Sequence, residues 1–280
     1  MKLKRIDITK FCLISTLLVV SSTSLLAQTS VKTLDTKSKS EEAIKWSGEF
    51  GTTYSSNLYK SGSTVKSTGA DFDATVAATI NKTKYSLNAT ATKALTGERQ
   101  LDLNNAYLGA ARSLYRFDDQ WSLSGTARLT IPLSEASKDY QRQITGVSLA
   151  PKLTWKSDFG LTAAYSASGL VNFHKYETSL TGASNYQYIV GNALALTYEF
   201  GSGMYVYANA TYSKLITYQG NTKDSYRFIQ MVGSPIAENV DFGLGHIIGG
   251  SPLAANGIET DIRFFDSRDS TVFGMLTLSF

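Results

Sequence analysis

In "QWSLSGTARLTIPL", Trp121, Leu123, Gly125, Ala127, Leu129, Ile131 and Leu133 share one side of an extended chain. Ser122, Ser124, Thr126, Arg128 and Thr130 share the other. This period of two is the mark of a strand with one apolar and one polar face. In "DFDATVAATIN" the apolar set is Phe72, Ala74, Val76, Ala78 and Ile80, set against Asp71, Asp73, Thr75 and Thr79. "KWSGEFGTTYSSNL", "KYSLNATATKA", "FGLTAAYSASGLVNFH" and "GIETDIRFF" repeat the pattern. "TVFGMLTLSF" carries it to Phe280. No segment shows a helical period, so the chain reads as all-β.

Segment length separates the architectures that alternation allows. Soluble strands usually run about 5 to 6 residues, whereas strands that cross a bilayer need roughly 9 to 11. These segments reach ten residues and beyond. Their connections alternate between tight ones ("NKT", "DD", "SDFG", "GSG") and longer polar ones ("YKSGSTVKSTGA", "SEASKDYQR", "ETSLTGASN"). That asymmetry fits short periplasmic turns and longer outer loops. With the first strand rising from the periplasm, Trp46, Trp121, Trp155, Tyr85, Phe200 and Phe280 fall at one interface. Tyr54, Phe72, Phe173, Tyr188 and Tyr212 fall towards the other, giving two aromatic girdles.

The predicted fold is a transmembrane antiparallel up-and-down β-barrel of twelve strands. Their expected bounds are 45–58, 70–81, 84–95, 104–117, 120–133, 143–156, 160–174, 186–200, 203–217, 239–248, 257–266 and 271–280. An even count returns the chain to the side on which it began. Splitting "YRFIQMVGSPIAENV" would make thirteen, so residues 218–238 are expected as the longest outer loop. The faces of residues 104–117 and 186–192 stay unassigned, because alternation is poor there.

The N-terminus speaks to compartment. A basic "MKLKRIDITK", an apolar "FCLISTLLVV" and small residues around Ala27 describe a cleaved signal peptide over residues 1–27. Residues 28–44 are polar and aperiodic, and read as a flexible periplasmic leader before the barrel at 45–280. Cys12 leaves with the signal, so the mature chain has no thiol and no disulfide. The signal also removes four of the 27 basic and one of the 23 acidic residues. The balance left, 23 against 22, gives no electrostatic footprint for nucleic acid.

The signal peptide, the alternating strands and a last strand closing on Phe280 together resemble the bacterial outer-membrane β-barrel proteins. The resemblance implies an outer-membrane location, contact with outer-membrane lipid, and recognition of Phe280 by the barrel-assembly machinery. Gly274 departs from the larger apolar residue usual at its place.

Candidate chemistry lies on the inward face. Expected lumen residues include Glu49, Asp71, Asp73, Arg128, Lys152, His174, Glu199, Asp241, Glu259, Asp261 and Arg263. Ser, Thr, Ala and Gly dominate between these charges. Mixed signs suit either a pore with a transverse field or an ionic network that seals a barrel, and Glu259, Asp261 and Arg263 alone suit a stabilising ladder. The preferred function is a porin-like channel for small hydrophilic solutes. The alternative is a non-transport outer-membrane protein: a plugged barrel, an anchor or an adhesin.

An enzyme is not expected. The outer-membrane phospholipase family needs a His with a nearby Ser and Asn, yet His174 stands in "NFHKYETS" without the His-x-Ser-Asn run. Ser179 is placed in a loop, and His246 near the periplasmic end. Two isolated histidines make a poor metal site, and "GLGHIIGG" lacks the spacing and helix of a dinucleotide loop. No cofactor or metal is expected. Within 218–238 the apolar "FIQMVGSPIA" leaves three readings: it folds into the barrel mouth as a constriction of Phe228, Ile229, Met231, Val232 and Ile236, it extends strands 9 and 10 above the membrane, or it contacts a partner.

Overall fold

A computed structural model of the chain describes residues 44–97, 99–253 and 259–280. The expected signal peptide, and all of the leader except Ile44, lie outside the described residues. Thirteen strands follow in order: β1 (Lys45–Asn57), β2 (Thr68–Ile80), β3 (Thr83–Ala94), β4 (Leu101–Leu103), β5 (Ala106–Arg116), β6 (Trp121–Ile131) and β7 (Gln143–Lys156). Then come β8 (Leu161–His174), β9 (Tyr186–Glu199), β10 (Tyr205–Thr217), β11 (Thr222–Ala237), β12 (Val240–Gly250) and β13 (Thr271–Ser279). Every pairing is antiparallel, and β1 pairs with both β2 and β13. β4 and β5 follow one another along β3, against Ala91–Lys93 and Thr83–Asn88. They form one stave broken at Asn104 and Asn105, so the closed barrel has twelve staves.

Closure is made where the chain ends. Glu49 pairs with Ser279, the Gly48 amide donates to the Phe280 carbonyl at 2.7 Å, and the Phe280 amide donates back to Gly48 at 3.0 Å. The Phe280 ring covers Gly48, where a Cβ would overlap it. Glycine lets the terminal aromatic lie flat across the seam.

The barrel's lower rim, taken as the rim that carries Lys45 and Phe280, has short turns at 81–82, 117–120, 157–160, 200–204 and 238–239. Asn81 (φ 49°) and Lys82 (φ 62°) adopt the left-handed conformations of a tight hairpin. The upper rim carries 58–67, 95–100, 132–142, 175–185, 218–221 and 251–270, and a one-turn π-helical segment, Ala136–Tyr140, lies in the third.

Two sequence expectations are corrected. Residues 218–238 are not a loop, because Thr222–Ala237 is β11, paired along its length with β10 and β12. Residues 257–266 are not a strand. Where described, they belong to the 251–270 connection and make only the isolated bridge Leu253↔Thr260. The even count holds because one error offsets the other. The constriction expected of Phe228, Ile229, Met231, Val232 and Ile236 falls with the loop reading, since all five are wall residues of β11.

Outside, the wall is apolar, with Phe50, Val76, Leu87, Leu129, Leu149 and Leu194 all exposed. Trp46 stands on this face near the lower rim, as do Trp121 and Trp155, which are cross-strand partners with ring centroids 6.4 Å apart. Tyr54, Phe72, Phe173, Tyr188 and Tyr212 ring the upper half of the same face.

Candidate functional site

On β1, β2 and β3 the inward residues are small and hydroxylated, with carboxylates between them. Asp71 is the direct cross-strand partner of Thr92, and Asp73 of Thr90. Direct partners on one face stand close enough to bond. Thr92 Oγ1 donates to Asp71 at 2.6 Å, and Thr90 Oγ1 to Asp73 at 2.8 Å. Asn88 donates to Thr75 Oγ1 at 2.9 Å in the next rung. Hydroxyls therefore hold both carboxylates. Lower on this side, the charged neighbours of Glu49 are Lys84, Asp73 and Asp241.

Across the lumen, β6 and β7 present cations. Lys152 pairs with Ser124 and Ser166, and Arg128 with Gly109 and Ser148. Partners this small leave the long side chains room to reach inward. Tyr107 stands beside Arg128. Between β7 and β9, Ser168 pairs with Gly191 on the inward face and is exposed. Water therefore reaches the wall at mid-height. Above it Leu170, Ile189 and Leu215 pair in sequence on the inner face. These inward apolar residues explain why alternation fails across 186–192.

The β10–β13 arc is different, with Tyr207, Ile229, Met231 and Phe273 all buried on the inner face. They lie against glycines. A Cβ at Gly245 would overlap the Phe273 ring, and one at Gly243 would come within 2.9 Å of Met231 Sδ. The large side chains thus lie along the wall rather than towards the axis. Arg227 shares this arc, is only 7 % exposed, and has no hydrogen bond or ion pair among the described residues, its electrostatic neighbour being Tyr207.

The remaining candidates are not lumen residues of one cluster. Glu199 sits exposed at the lower end of β9. His174 is at the upper rim, with Nδ1 3.4 Å from Tyr218 Oη. Ser179 Oγ lies 2.8 Å from Thr181 Oγ1, so it is held within its own loop. His246 is not near the lower rim as expected, because β11 reverses the direction assumed for β12. It faces outward near the upper rim, with its ring 5.5 Å from Phe265.

Glu259, Asp261 and Arg263 lie in the 251–270 connection and line no lumen wall. Arg263 does form an ionic cluster, but on the outside: it donates to Asp261 at 2.6 and 2.9 Å and to Asp266 at 2.6 Å. Asp266 also accepts from the Arg268 and Asp269 amides. Those amides, and then Arg263, pull its carboxyl down to about 2. Phe264 packs on outward Phe228 with centroids 4.5 Å apart, and the Arg263 amide donates to Tyr226 Oη at 3.1 Å. Residues 263–265 thus lie against the outer wall of β11 and β12.

No family model matches the chain, and no curated protein matches its sequence. Solved structures do resemble it. An outer-membrane channel from Pseudomonas putida F1 superposes with a TM-score of 0.56 at 11 % identity, over 88 % of this chain and 100 % of that one. The NanC porin gives 0.52 at 12 % identity over 83 % of this chain and 98 % of that one. The KdgM porin gives 0.50 at 8 % identity over 83 % and 99 %. The fold is that of the bacterial outer-membrane β-barrel channels.

Proposed function

We propose that the protein is a passive channel for small hydrophilic solutes in a bacterial outer membrane, with its lower rim in the periplasm. The observation that carries this reading is the exposed, inward-facing Ser168 at mid-wall of β8, next to the basic arc of β6 and β7. Twelve strands about 4.8 Å apart and tilted near 40° enclose a backbone cylinder about 24 Å across. The inward residues of β1–β9 are mostly small, apart from a few such as Tyr107, Arg128, Lys152, Leu170 and Ile189, and the large ones of β10–β13 lie flat, so the centre is left to water. An apolar outer wall with aromatic rings near both rims suits immersion in lipid. That the resembling structures are themselves channels and porins adds support through the fold alone.

Purified chain reconstituted in a planar bilayer is expected to give discrete ohmic conductance steps. A correctly folded, heat-modifiable barrel that leaves the bilayer silent would favour a plugged structural protein instead.

A further inference from the structure

Gln230 stands where a lipid-facing wall should carry no amide. Ile229 and Met231 on either side of it are buried on the inner face, so its side chain points outward, and it is exposed. Its partner on β10 is Ala208, four residues below Tyr212 of the upper girdle. The partner of Ala208 on β9 is Leu196, four residues above Phe200 of the lower girdle. Four residues are about 13 Å along a strand, and about 10 Å of height at the tilt of a barrel. Gln230 therefore lies at mid-wall. Its side chain makes no hydrogen bond among the described residues. Between the girdles, by contrast, β2, β6 and β13 present only apolar side chains and glycine outward.

A second feature lies beside it. His246 is the partner of Gln230 on β12, and the Phe265 ring packs against it. Phe264 packs on Phe228, the next outward position up β11. A segment outside any strand, with both phenylalanine rings exposed, thus reaches down the outer wall to the height of Gln230. Acyl chains satisfy neither a side-chain amide nor irregular backbone, and both are rare at membrane depth unless protein covers them.

The chemistry of the amide decides what covers it. Two copies of the barrel stand in a membrane with the same end up, so a two-fold axis between them runs along the membrane normal. Such an axis puts the same patch of each copy face to face and brings both Gln230 side chains to one height. A carboxamide carries donors and an acceptor, so two of them form a reciprocal pair of hydrogen bonds. Ala208 and Ala210, beside Gln230 on β10, are small enough to let the walls approach. Two cylinders diverge on either side of their line of contact. The 263–265 segment, raised on the β12 side, fills that gap in each copy against the β9 wall of the other.

We propose that the protein pairs with a second copy of itself through the outer wall of β10 and β11, with Gln230 at the two-fold axis. This rests on the membrane immersion in the reading above, and not on what the lumen passes. A protein of residues 28–280 has no cysteine, so an introduced Gln230→Cys is expected to cross-link to itself in lipid vesicles on oxidation with diamide. Leu108→Cys, exposed on the outer face of β5 six staves away, should not cross-link. Sedimentation equilibrium in density-matched detergent should show Gln230→Leu raising the dissociation constant of the pair at least tenfold. Should Gln230→Leu fail to fold, the cross-link decides. Absence of the Gln230→Cys cross-link from a conducting barrel would overturn the pairing and leave the channel intact. A pair that forms equally well in Gln230→Leu, or cross-linking as fast through Leu108→Cys, would overturn the assignment to this wall. A barrel that does not insert into vesicles would overturn the membrane reading, and the pairing with it.

Discussion

Arg227 is the residue whose position is hardest to justify by stability. A buried guanidinium without a partner loses its hydration and recovers little. Its strand partners are Thr211 and Gly249, its electrostatic neighbour is Tyr207, and none is a carboxylate. Replacing it by an apolar residue of similar length removes the desolvation cost and keeps the volume. Arg227→Met is therefore expected to leave the barrel folded and to stabilise it by about 1–4 kcal/mol. Urea unfolding in lipid vesicles, followed by tryptophan emission, measures this. A destabilised Arg227→Met barrel would show that the guanidinium has a partner after all.

Among the elements, the contrast between β11 and the 251–270 connection shows what the sequence conceals. Alternation is legible when one face is wet and the other meets lipid, as in β2 or β6. β11 is apolar on both faces, because Ile229 and Met231 pack into the inner arc while Phe228 and Val232 face outward. Its sequence therefore reads as an apolar loop. Residues 259–266 show the reverse error. Ile262 and Phe264 alternate with Asp261 and Arg263, but the spacing serves a clamp in which Arg263 is held by Asp261 and Asp266. The girdles and most of the strands were legible; the inner apolar arc was not, since its burial depends on glycines of a neighbouring strand.

That clamp titrates in a definite window. The Asp266 carboxyl is depressed to about 2 by the Arg268 and Asp269 amides and by Arg263, against an ordinary value near 3.9. A depressed acid contributes its stabilisation above the ordinary value and loses it as pH falls through the folded one. The 259–270 segment should stay closed at pH 4 and open towards pH 2. Pepsin, judged against a denatured control at each pH, should cut beside Phe264 and Phe265 only at the lower pH. Equal cutting at both would contradict the clamp.

For the whole molecule, one wall pattern accounts for closure and for the proposed immersion and passage. Lipid-facing residues and water-facing residues alternate along each stave, the seam is completed by Phe280 over Gly48, and the inner face divides into an acidic arc, a basic arc and a flattened apolar arc. The central claim is that water fills the lumen at the height of Ser168. The chain after residue 27 has no cysteine, so in a protein of residues 28–280 Ser168→Cys would introduce the sole thiol. Single channels of this variant should lose part of their conductance within minutes of adding a charged, membrane-impermeant methanethiosulfonate, whereas wild-type channels should not change. An introduced thiol that stays unmodified in the folded Ser168→Cys barrel, or whose modification leaves the current unaltered, would contradict an open lumen.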